Sequence, residues 1–203
     1  QDLPRFQQEA QTISRLKHPN LVTVFEFNVN NMPPYLVMEY IEGKSLAEVL
    51  TSEGPLALER GISVLRQMCG ALTHAHENGV VHRDLKPANI LLQKTPSGEE
   101  VVKIVDFGIA KIVQQDSLEA QNFTRSGEIL GSPLYMSPEQ CQGKKLDHRS
   151  DIYSMGCVLY AMFVGAPPFQ GSTAFETIQM HLHEQPDSIS SRRQDLAYAF
   201  ELD

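Results

Sequence analysis

One eight-residue segment, His82-Arg-Asp-Leu-Lys-Pro-Ala-Asn89, carries an acid, two cations and an amide around a proline. Asp84 can accept a proton, and Lys86 can neutralise a negative charge that develops beside it. Asn89 can offer its side-chain oxygen to a divalent cation. These residue types could combine proton transfer with the binding of a divalent cation, although a solvated turn would account for the segment as well.

A second carboxylate follows a short apolar run. Asp106-Phe-Gly108 ends a predicted strand at residues 101–105, where a rigid strand can hold the carboxylate and the glycine permits a sharp change of direction. Together with Asn89, Asp106 would supply two oxygen ligands for a hard cation. Taken alone, Asp-Phe-Gly is more simply an ordinary strand end.

Helix and strand patterns surround these two segments. Four segments have apolar residues at the spacing of a helix: residues 3–16, 58–78, 151–164 and 174–184. Runs of β-branched and aromatic residues predict strands: a hairpin from residues 21–29 and 35–40, then residues 80–81, 90–92 and 101–105. The spacing of Ser45 and Glu48 predicts a capping box that opens a further short helix. Residues 106–139 lack periodicity and predict a long functional or disordered loop.

Glu9 lies on or beside the apolar stripe of the first predicted helix. It is three residues after Phe6 and four before Ile13, so its carboxylate should either need a cationic partner or reach water at the edge of the face. On spacing alone, the edge position is the simpler interpretation.

Composition argues against several classes of protein. The chain has 17 Lys and Arg against 25 Asp and Glu, a formal net charge of −8, so we expect no nucleic acid or anionic membrane surface as its main partner. Cys69, Cys141 and Cys157 are widely spaced and suggest neither a disulfide framework nor a zinc site, which indicates a reducing, cytoplasmic setting. We expect no membrane segment within these residues, although a longer parent protein could carry one.

Four motifs together resemble the signatures of the eukaryotic-type protein kinase family. They occur in the family's order and spacing: the eight-residue segment around Asp84, Asp106-Phe-Gly108, Ser137-Pro-Glu139 and Asp151-Ile-Tyr-Ser-Met-Gly156. Lys86, two residues after Asp84, resembles the serine/threonine branch, and Tyr-Met-Ser-Pro-Glu-Gln resembles its bacterial, eukaryotic-like members. The resemblance implies an α+β, two-lobed fold: residues 1–38 from the small lobe, 39–44 as hinge and 45–203 from the large lobe.

The resemblance implies roles for the residues that carry chemistry. Asp84 would orient and deprotonate a substrate hydroxyl, and Lys86 would contact the transferred phosphate. Asn89 and Asp106 would hold Mg²⁺ against the phosphates of ATP. Glu9 would occupy the position of the family's αC glutamate and pair with an ATP-binding lysine of the small lobe.

The resemblance also implies an adenine site between the lobes. Met38 would be the gatekeeper residue, Glu39, Tyr40 and Ile41 would form the hinge whose backbone meets adenine, and Leu91 would form the floor of the site. Ordinary core packing explains the apolar residue types among these positions equally well.

Further positions resemble the family's regulatory and aligning residues. His82, Phe107, Ile13 and Val24 would stack in a hydrophobic column with Asp151 at its base, although a core histidine with satisfied hydrogen bonds predicts the same burial for His82.

The long loop and its surroundings complete the set. Arg83 would receive a phosphate carried by Thr124 or Ser126, and Ser132 would touch the catalytic Asp and Lys. Any long loop contains Ser and Thr, which explains Thr124 and Ser126 equally well. Glu139 would pair with an arginine that the family places further along the chain, so we expect it to lack that partner here.

These roles imply transfer of the ATP γ-phosphoryl group to Ser or Thr hydroxyls of protein substrates by a longer parent protein. The family's Gly-rich loop and ATP-binding lysine precede αC, whereas no Gly-x-Gly-x-x-Gly occurs in these residues and no lysine precedes Glu9. We therefore expect the 203 residues alone to be an inactive fragment. The alternative is a catalytically dead scaffold or interaction module, against which the retained acid, amide and lysine groups argue.

Overall fold

The computed structural model describes residues 11–28, 35–107 and 133–196. The expectations for Glu9, Thr124, Ser126 and Ser132 therefore lie outside the described residues.

Helices and two small sheets make up the described part of the chain. The strands, in chain order, are β1 (Val24–Asn28), β2 (Tyr35–Met38), β3 (Lys44–Ser45), β4 (Ile90–Lys94) and β5 (Glu100–Ile104). The helices are α1 (residues 11–15), α2 (Leu46–Glu53), α3 (Leu58–Glu77), α4 (Pro138–Cys141), α5 (His148–Val164), α6 (Ala174–His183) and α7 (Ile189–Arg192). Single 3₁₀ turns occur at Pro87–Asn89, Pro133–Tyr135 and Gln194–Leu196. Across these ranges, every helix is too short or too polar to cross a lipid bilayer.

The mixture of helix and sheet confirms the predicted α+β class. β1 pairs antiparallel with β2, as expected for the hairpin, and β4 lies between β3 and β5 in a second antiparallel sheet. The capping box of α2 is also confirmed, because Ser45 Oγ accepts the Glu48 N–H while the Glu48 carboxylate accepts the Ser45 N–H. α5 begins three residues before the predicted start, since the Asp147 side chain caps it by accepting the Arg149 N–H.

The predicted strand at residues 80–81 is wrong. Gly79 has a left-handed φ of 73°, and the Val80 N–H donates to the Ala75 carbonyl, so this segment forms the C-terminal cap of α3. Val80 is buried because the cap turns it into the core rather than into a sheet.

α3 and α5 form the centre of the helical lobe. α3 buries residues at helical spacing: Val64, Met68, Ala71, Leu72 and Ala75. Gly61 of α3 lies directly against the ring of Phe163 in α5, where a Cβ atom would overlap the ring carbons. The absence of a side chain at Gly61 therefore sets how closely the two helices approach.

Residues 20–22 join the small lobe to β5 and α3. The Ile104 N–H donates to the Asn20 carbonyl at 2.9 Å, and the Val22 N–H donates to the Ile104 carbonyl at 3.0 Å. The Asn20 side-chain amide donates to Gln67 Oε1 at 2.8 Å and to the Val102 carbonyl at 2.9 Å. The core cluster that contains the buried residues of α3 also contains four side chains of the small lobe: Ile13, Leu16, Leu21 and Val24. The core is therefore continuous between the two parts.

Candidate active site

Asp84, Lys86 and Asn89 form one hydrogen-bonded group. Lys86 Nζ lies 2.8 Å from Asp84 Oδ2. The Asn89 side-chain amide donates to Asp84 Oδ2 at 3.2 Å and to the Asp84 carbonyl at 2.8 Å, because the 3₁₀ turn Pro87–Asn89 brings the chain back toward the acid. The Asp84 side chain is 21% exposed, so a substrate hydroxyl can reach it.

Asn89 and Asp106 lie on adjacent pieces of backbone. The Val105 N–H donates to the Asn89 carbonyl at 3.0 Å, which places Asn89 beside the residue that precedes Asp106. The Asn89 amide nitrogen is used by Asp84, its side-chain oxygen remains an acceptor, and the Asp106 side chain is exposed. Two oxygen donors of this kind fit Mg²⁺, which fills its remaining positions with water and phosphate oxygens. The described ranges hold no cluster of three His, Cys, Asp or Glu that would bind a metal ion by itself.

His82 is completely buried and connects the segment of residues 82–89 to the end of β5. The Asp84 N–H lies 3.2 Å from His82 Nδ1, and His82 Nε2 lies 2.9 Å from the Val105 carbonyl. Since a main-chain N–H only donates, Nδ1 is the unprotonated nitrogen and Nε2 carries the hydrogen. Burial lowers the pKa of His82 and outweighs the opposing influence of nearby carboxylates such as Asp151, so the ring is neutral.

Asp151 supports the same segment from α5. Its carboxylate is 1% exposed and accepts the main-chain N–H groups of His82 and Arg83 at 2.7 and 2.9 Å. His76 Nε2 lies 2.7 Å from the same carboxylate. The sequence analysis placed His76 in the amphipathic pattern of α3, four residues after Leu72, but assigned it no role.

Two non-glycine residues at the site have a left-handed backbone. The φ angle is 66° at Arg83 and 55° at Asp106. Such conformations cost about 1–3 kcal/mol each and persist where the surroundings hold them in place. At Arg83, Asp151 accepts the N–H, and Gln140 Nε2 donates to the carbonyl at 2.7 Å. Sequence reasoning missed Gln140, whose only signal was its position directly after a motif residue.

The four residues of the predicted hydrophobic column are all buried. Ile13, Val24 and Phe107 belong to one core cluster. The rings of His82 and Phe107 pack with their centroids 4.8 Å apart. Burial is also what ordinary core packing produces, so the aligning role of the column stays a prediction.

The residues predicted to bind adenine differ in exposure. Met38 is 39% exposed and Tyr40 is 89% exposed, whereas Ile41 is buried. Leu91 is half-buried and pairs with Ser45 across the β3–β4 ladder. Met38 and Tyr40 therefore expose surface to solvent, whereas Ile41 does not, and the predicted floor residue is partly accessible.

The Glu39 side chain, directly after β2, connects this part of the chain to β5. Lys103 Nζ lies 2.8 Å from Glu39 Oε1, and the Thr23 N–H donates to the same oxygen at 2.6 Å. Burial on its own would raise the pKa of Glu39, but hydrogen bonds from Lys103 and Thr23 outweigh burial and lower it. Glu39 is therefore a charged residue that anchors the end of β2 to β5, a contact that the sequence analysis did not predict.

Glu139 has a partner that the sequence analysis did not foresee. The hydroxyl of the buried Ser150, at the start of α5, donates a hydrogen bond to the Glu139 carboxylate. The Lys144 N–H also donates to the Glu139 carbonyl at 2.9 Å. The bond from Ser150 holds α4 against the beginning of α5, and the bond from Lys144 closes the turn that follows α4.

The sequence matches the family described as "Protein kinase domain" over residues 1–200. Serine/threonine-protein kinase PknB of Mycobacterium tuberculosis is 39% identical over 197 residues, which cover 95% of this chain and 30% of that protein. Serine/threonine-protein kinase pkn3 of Myxococcus xanthus is 42% identical over 192 residues, or 94% of this chain and 35% of that protein. The chain thus spans about a third of the length of these curated relatives.

Two solved structures are similar in fold. The crystal structure of a mutant of the Mycobacterium tuberculosis PknI kinase domain has a TM-score of 0.69 at 26% identity, covering 96% of this chain and 65% of that one. The crystal structure of the Rad53 kinase domain and SCD2 in complex with AMPPNP has a TM-score of 0.68 at 26% identity, covering 93% of this chain and 65% of that one. Sequence and fold agree, and the chain belongs to the protein kinase family, among its bacterial-type serine/threonine members.

Proposed function

We propose that the natural protein containing these residues transfers the γ-phosphoryl group of ATP to Ser or Thr hydroxyls of protein substrates. The observation that carries this proposal is the hydrogen-bonded group of Asp84, Lys86 and Asn89 beside the exposed carboxylate of Asp106. The curated relatives are themselves named serine/threonine-protein kinases.

Each residue of this group has a distinct task in the proposed reaction. Asp84 orients the substrate hydroxyl and takes its proton as the oxygen attacks. Lys86, 2.8 Å from Asp84, supplies positive charge where the phosphoryl oxygens would lie. Asn89 and Asp106 would hold Mg²⁺, which neutralises phosphate charge when bound.

The remaining predicted residues bind nucleotide or regulate the site in this proposal. Adenine lies against Leu91 and the hinge at residues 39–41. Glu9 pairs with the ATP-binding lysine of the small lobe, and Arg83 receives a phosphate from Thr124 or Ser126. Ser132 contacts the catalytic Asp and Lys in the same proposal.

Substitution of Asp84 tests the reaction in the natural full-length protein. Asp84→Asn removes the proton acceptor, so turnover should fall by about 100-fold or more. The KM for ATP should change little, because Asp84 contacts the hydroxyl rather than the nucleotide. Asp147→Asn is the matched control: this residue caps α5 with a side chain that is 46% exposed, and asparagine caps helices as well as aspartate does.

The assay uses radiolabelled ATP and a generic basic protein as substrate. Turnover by Asp84→Asn equal to that of the wild-type protein would contradict the assignment. If the wild-type protein binds Mg-ATP or a protein partner but transfers no phosphate, the chain is instead a kinase-fold scaffold.

We also propose that these 203 residues alone bind Mg-ATP poorly and show no turnover. They contain no Gly-x-Gly-x-x-Gly to cover the phosphates and no lysine ahead of Glu9. Titration calorimetry of the purified 203 residues with Mg-ATP measures this directly. Micromolar affinity, or phosphate transfer that depends on Asp84, would show that other residues supply these functions.

The cysteines support a cytoplasmic location for the catalytic residues. Cys69, Cys141 and Cys157 are all free thiols in the structure. Disulfide-free cysteines are typical of reducing compartments, where ATP is also available. This location suits both a cytoplasmic protein and the cytoplasmic part of a membrane-anchored one.

A further inference from the structure

The Gln140 side chain in α4 reaches residues 82–89, which we name the catalytic segment after their proposed role. Its Nε2 donates to the carbonyl of Arg83, the residue before Asp84, at 2.7 Å. Its Oε1 accepts the Ser137 N–H at 2.9 Å, and its main-chain N–H donates to Ser137 Oγ at 3.3 Å. Because Ser137 is completely buried, the capping box fixes where the Gln140 amide can lie.

This contact falls on the peptide group that carries Asp84. The carbonyl of Arg83 and the N–H of Asp84 belong to one planar unit. Gln140 holds the oxygen of that unit, and His82 Nδ1 accepts its N–H at 3.2 Å. Asp151 fixes the preceding peptide by accepting the Arg83 N–H. The orientation of the backbone at Asp84 therefore depends on Gln140, a side chain from outside both the catalytic segment and α5.

The segment that contains Gln140 also borders the site of the reaction. Tyr135 and Met136 line one pocket together with Asp84 and Lys86, and Gln140 lies in the wall of the same pocket. A displacement of residues 133–141 would therefore move the Gln140 amide and, through it, the peptide of Asp84.

We propose that Gln140 is a positioning residue for Asp84, which couples the placement of residues 133–141 to the orientation of the proton acceptor. The inference rests on the proposed kinase function. A helix cap would explain the bonds between Gln140 and Ser137, but it does not explain the bond from Gln140 to the Arg83 carbonyl.

The test is Gln140→Glu in the natural full-length protein. The substitution keeps the size of the side chain and an oxygen for the Ser137 N–H, but it replaces the donor to Arg83 by a carboxylate oxygen that repels the carbonyl. Asp84 should then be misplaced, so kcat should fall by about 10- to 100-fold. The KM for ATP should stay within about twofold, because no nucleotide contact changes.

Acidification provides a readout that a loss of stability would not produce. Protonation gives the introduced carboxyl an O–H donor that can again bond the Arg83 carbonyl. Partial burial beside the Arg83 carbonyl oxygen should raise the pKa of the introduced carboxyl above the usual value of about 4.3 for glutamate, so the ratio of variant to wild-type kcat should rise as the pH falls from about 8 to about 5. The charged groups around this position are the same in the variant and in the wild-type protein, so their effect on kcat cancels in the ratio. These groups are Arg83, Asp84 and Lys86 in the catalytic segment, Glu139 in α4 and Asp151 in α5.

Two further variants separate the donor from the added charge. Gln142→Glu places the same charge on an exposed residue two positions away and should leave kcat unchanged. Gln140→Met removes the donor without adding charge. Its kcat should therefore be lower than that of the wild-type protein, and the ratio of the two kcat values should not vary with pH. A Gln140→Glu variant with wild-type kcat, or with a pH-independent loss, would overturn the proposal.

A measurement that needs no activity keeps this test separate from the kinase assignment. Amide hydrogen exchange at residues 82–86 should be faster in Gln140→Glu than in the wild-type protein, whereas exchange in the middle of α3 should be the same in both proteins. Equal exchange at residues 82–86 would also overturn the positioning role. A wild-type protein without phosphate transfer would instead contradict the proposed function, and the exchange result would still report on the contact.

Discussion

The hydrogen bonds of His82 show how one residue can connect several parts of a catalytic site. Its main-chain N–H donates to Asp151, its Nδ1 accepts from Asp84, and its Nε2–H donates to Val105. The Asp84 N–H can donate to Nδ1 only while the His82 ring is neutral. A proton on Nδ1 would face the Asp84 N–H, so acid should weaken the link between the proton acceptor and the strand that leads to Asp106.

The stability of the protein should therefore depend on the protonation of His82. Burial lowers the pKa of His82 in the folded state, so below about pH 6.5 the unfolded chain binds a proton that the folded chain does not. The free energy of unfolding should be fully retained above that pH and should fall as the pH drops. A single such group contributes at most about 1.4 kcal/mol per pH unit.

Urea unfolding at a series of pH values tests this dependence. His82→Gln should be less stable at neutral pH, because it loses the ring hydrogen bonds, but its stability should fall less steeply in acid. The half-buried His18 and the buried His181, whose pKa values are also lowered by burial, should leave a residual slope. His148→Gln, at an exposed position, is the control for replacing a histidine and should keep the wild-type stability at neutral pH. Parallel curves for His82→Gln and wild type would contradict the assignment.

Sequence motifs located residues but not their long-range partners. Asp84, Asn89 and Asp106 could be identified because their spacing along the chain carries the signal. Gln140 contacts a residue 57 positions away, and His76 contacts one 75 positions away. Such pairs arise only when α3, α4 and α5 pack together, which no local pattern encodes.

At the scale of elements, the approach of α3 and α5 depends on one glycine. Gly61→Ala would place a Cβ into the ring of Phe163, which is completely buried and has little room to move. We expect this variant to lose about 1–3 kcal/mol of unfolding free energy, the usual cost of overpacking a core.

Gly156→Ala provides a matched control of opposite sign. Gly156 lies in the interior of α5, with no atom within 4 Å of the position of an added Cβ. Alanine there should stabilise the protein by about 0.5–1 kcal/mol, because it restricts the unfolded chain and favours the helix. Urea unfolding of both variants measures the difference, and equal effects would show that the two helices are not packed as described.

Helix periodicity was the most informative local pattern, and paired β-branched residues were the least. The apolar stripe of α3 predicted its length to within one residue, since a long run of consistent spacing leaves little ambiguity. Val80 and Val81 suggested a strand only because two β-branched residues were adjacent. The left-handed Gly79 redirected them into a helix cap instead.

At the scale of the whole molecule, the two sheets differ in how firmly they are held. β5 exchanges backbone hydrogen bonds with residues 20–22 and packs on α3. The β1–β2 sheet has only two strands within the described ranges, and Phe25, Tyr35 and Val37 in it are 66%, 38% and 42% exposed. Two-stranded sheets with little burial are only marginally stable in water.

Hydrogen exchange should reveal this difference directly. Amides of Val22 and Ile104, which bond across the junction, should exchange at least about tenfold more slowly than the ladder amides between β1 and β2. Measurement at single-residue resolution by NMR distinguishes the two sets. Equal protection would mean that the hairpin and the junction open as one cooperative unit.

The bonds that Asp151 and Gln140 make to residue 83 all involve its main chain. Another side chain that accepts a φ of 66° would leave those bonds in place. In the proposed function, a loop phosphate would bind the guanidinium group of Arg83, whereas the orientation of Asp84 depends on the main chain of the same residue. Under that proposal, a replacement of Arg83 during evolution would remove the phosphate control and spare the proposed chemistry.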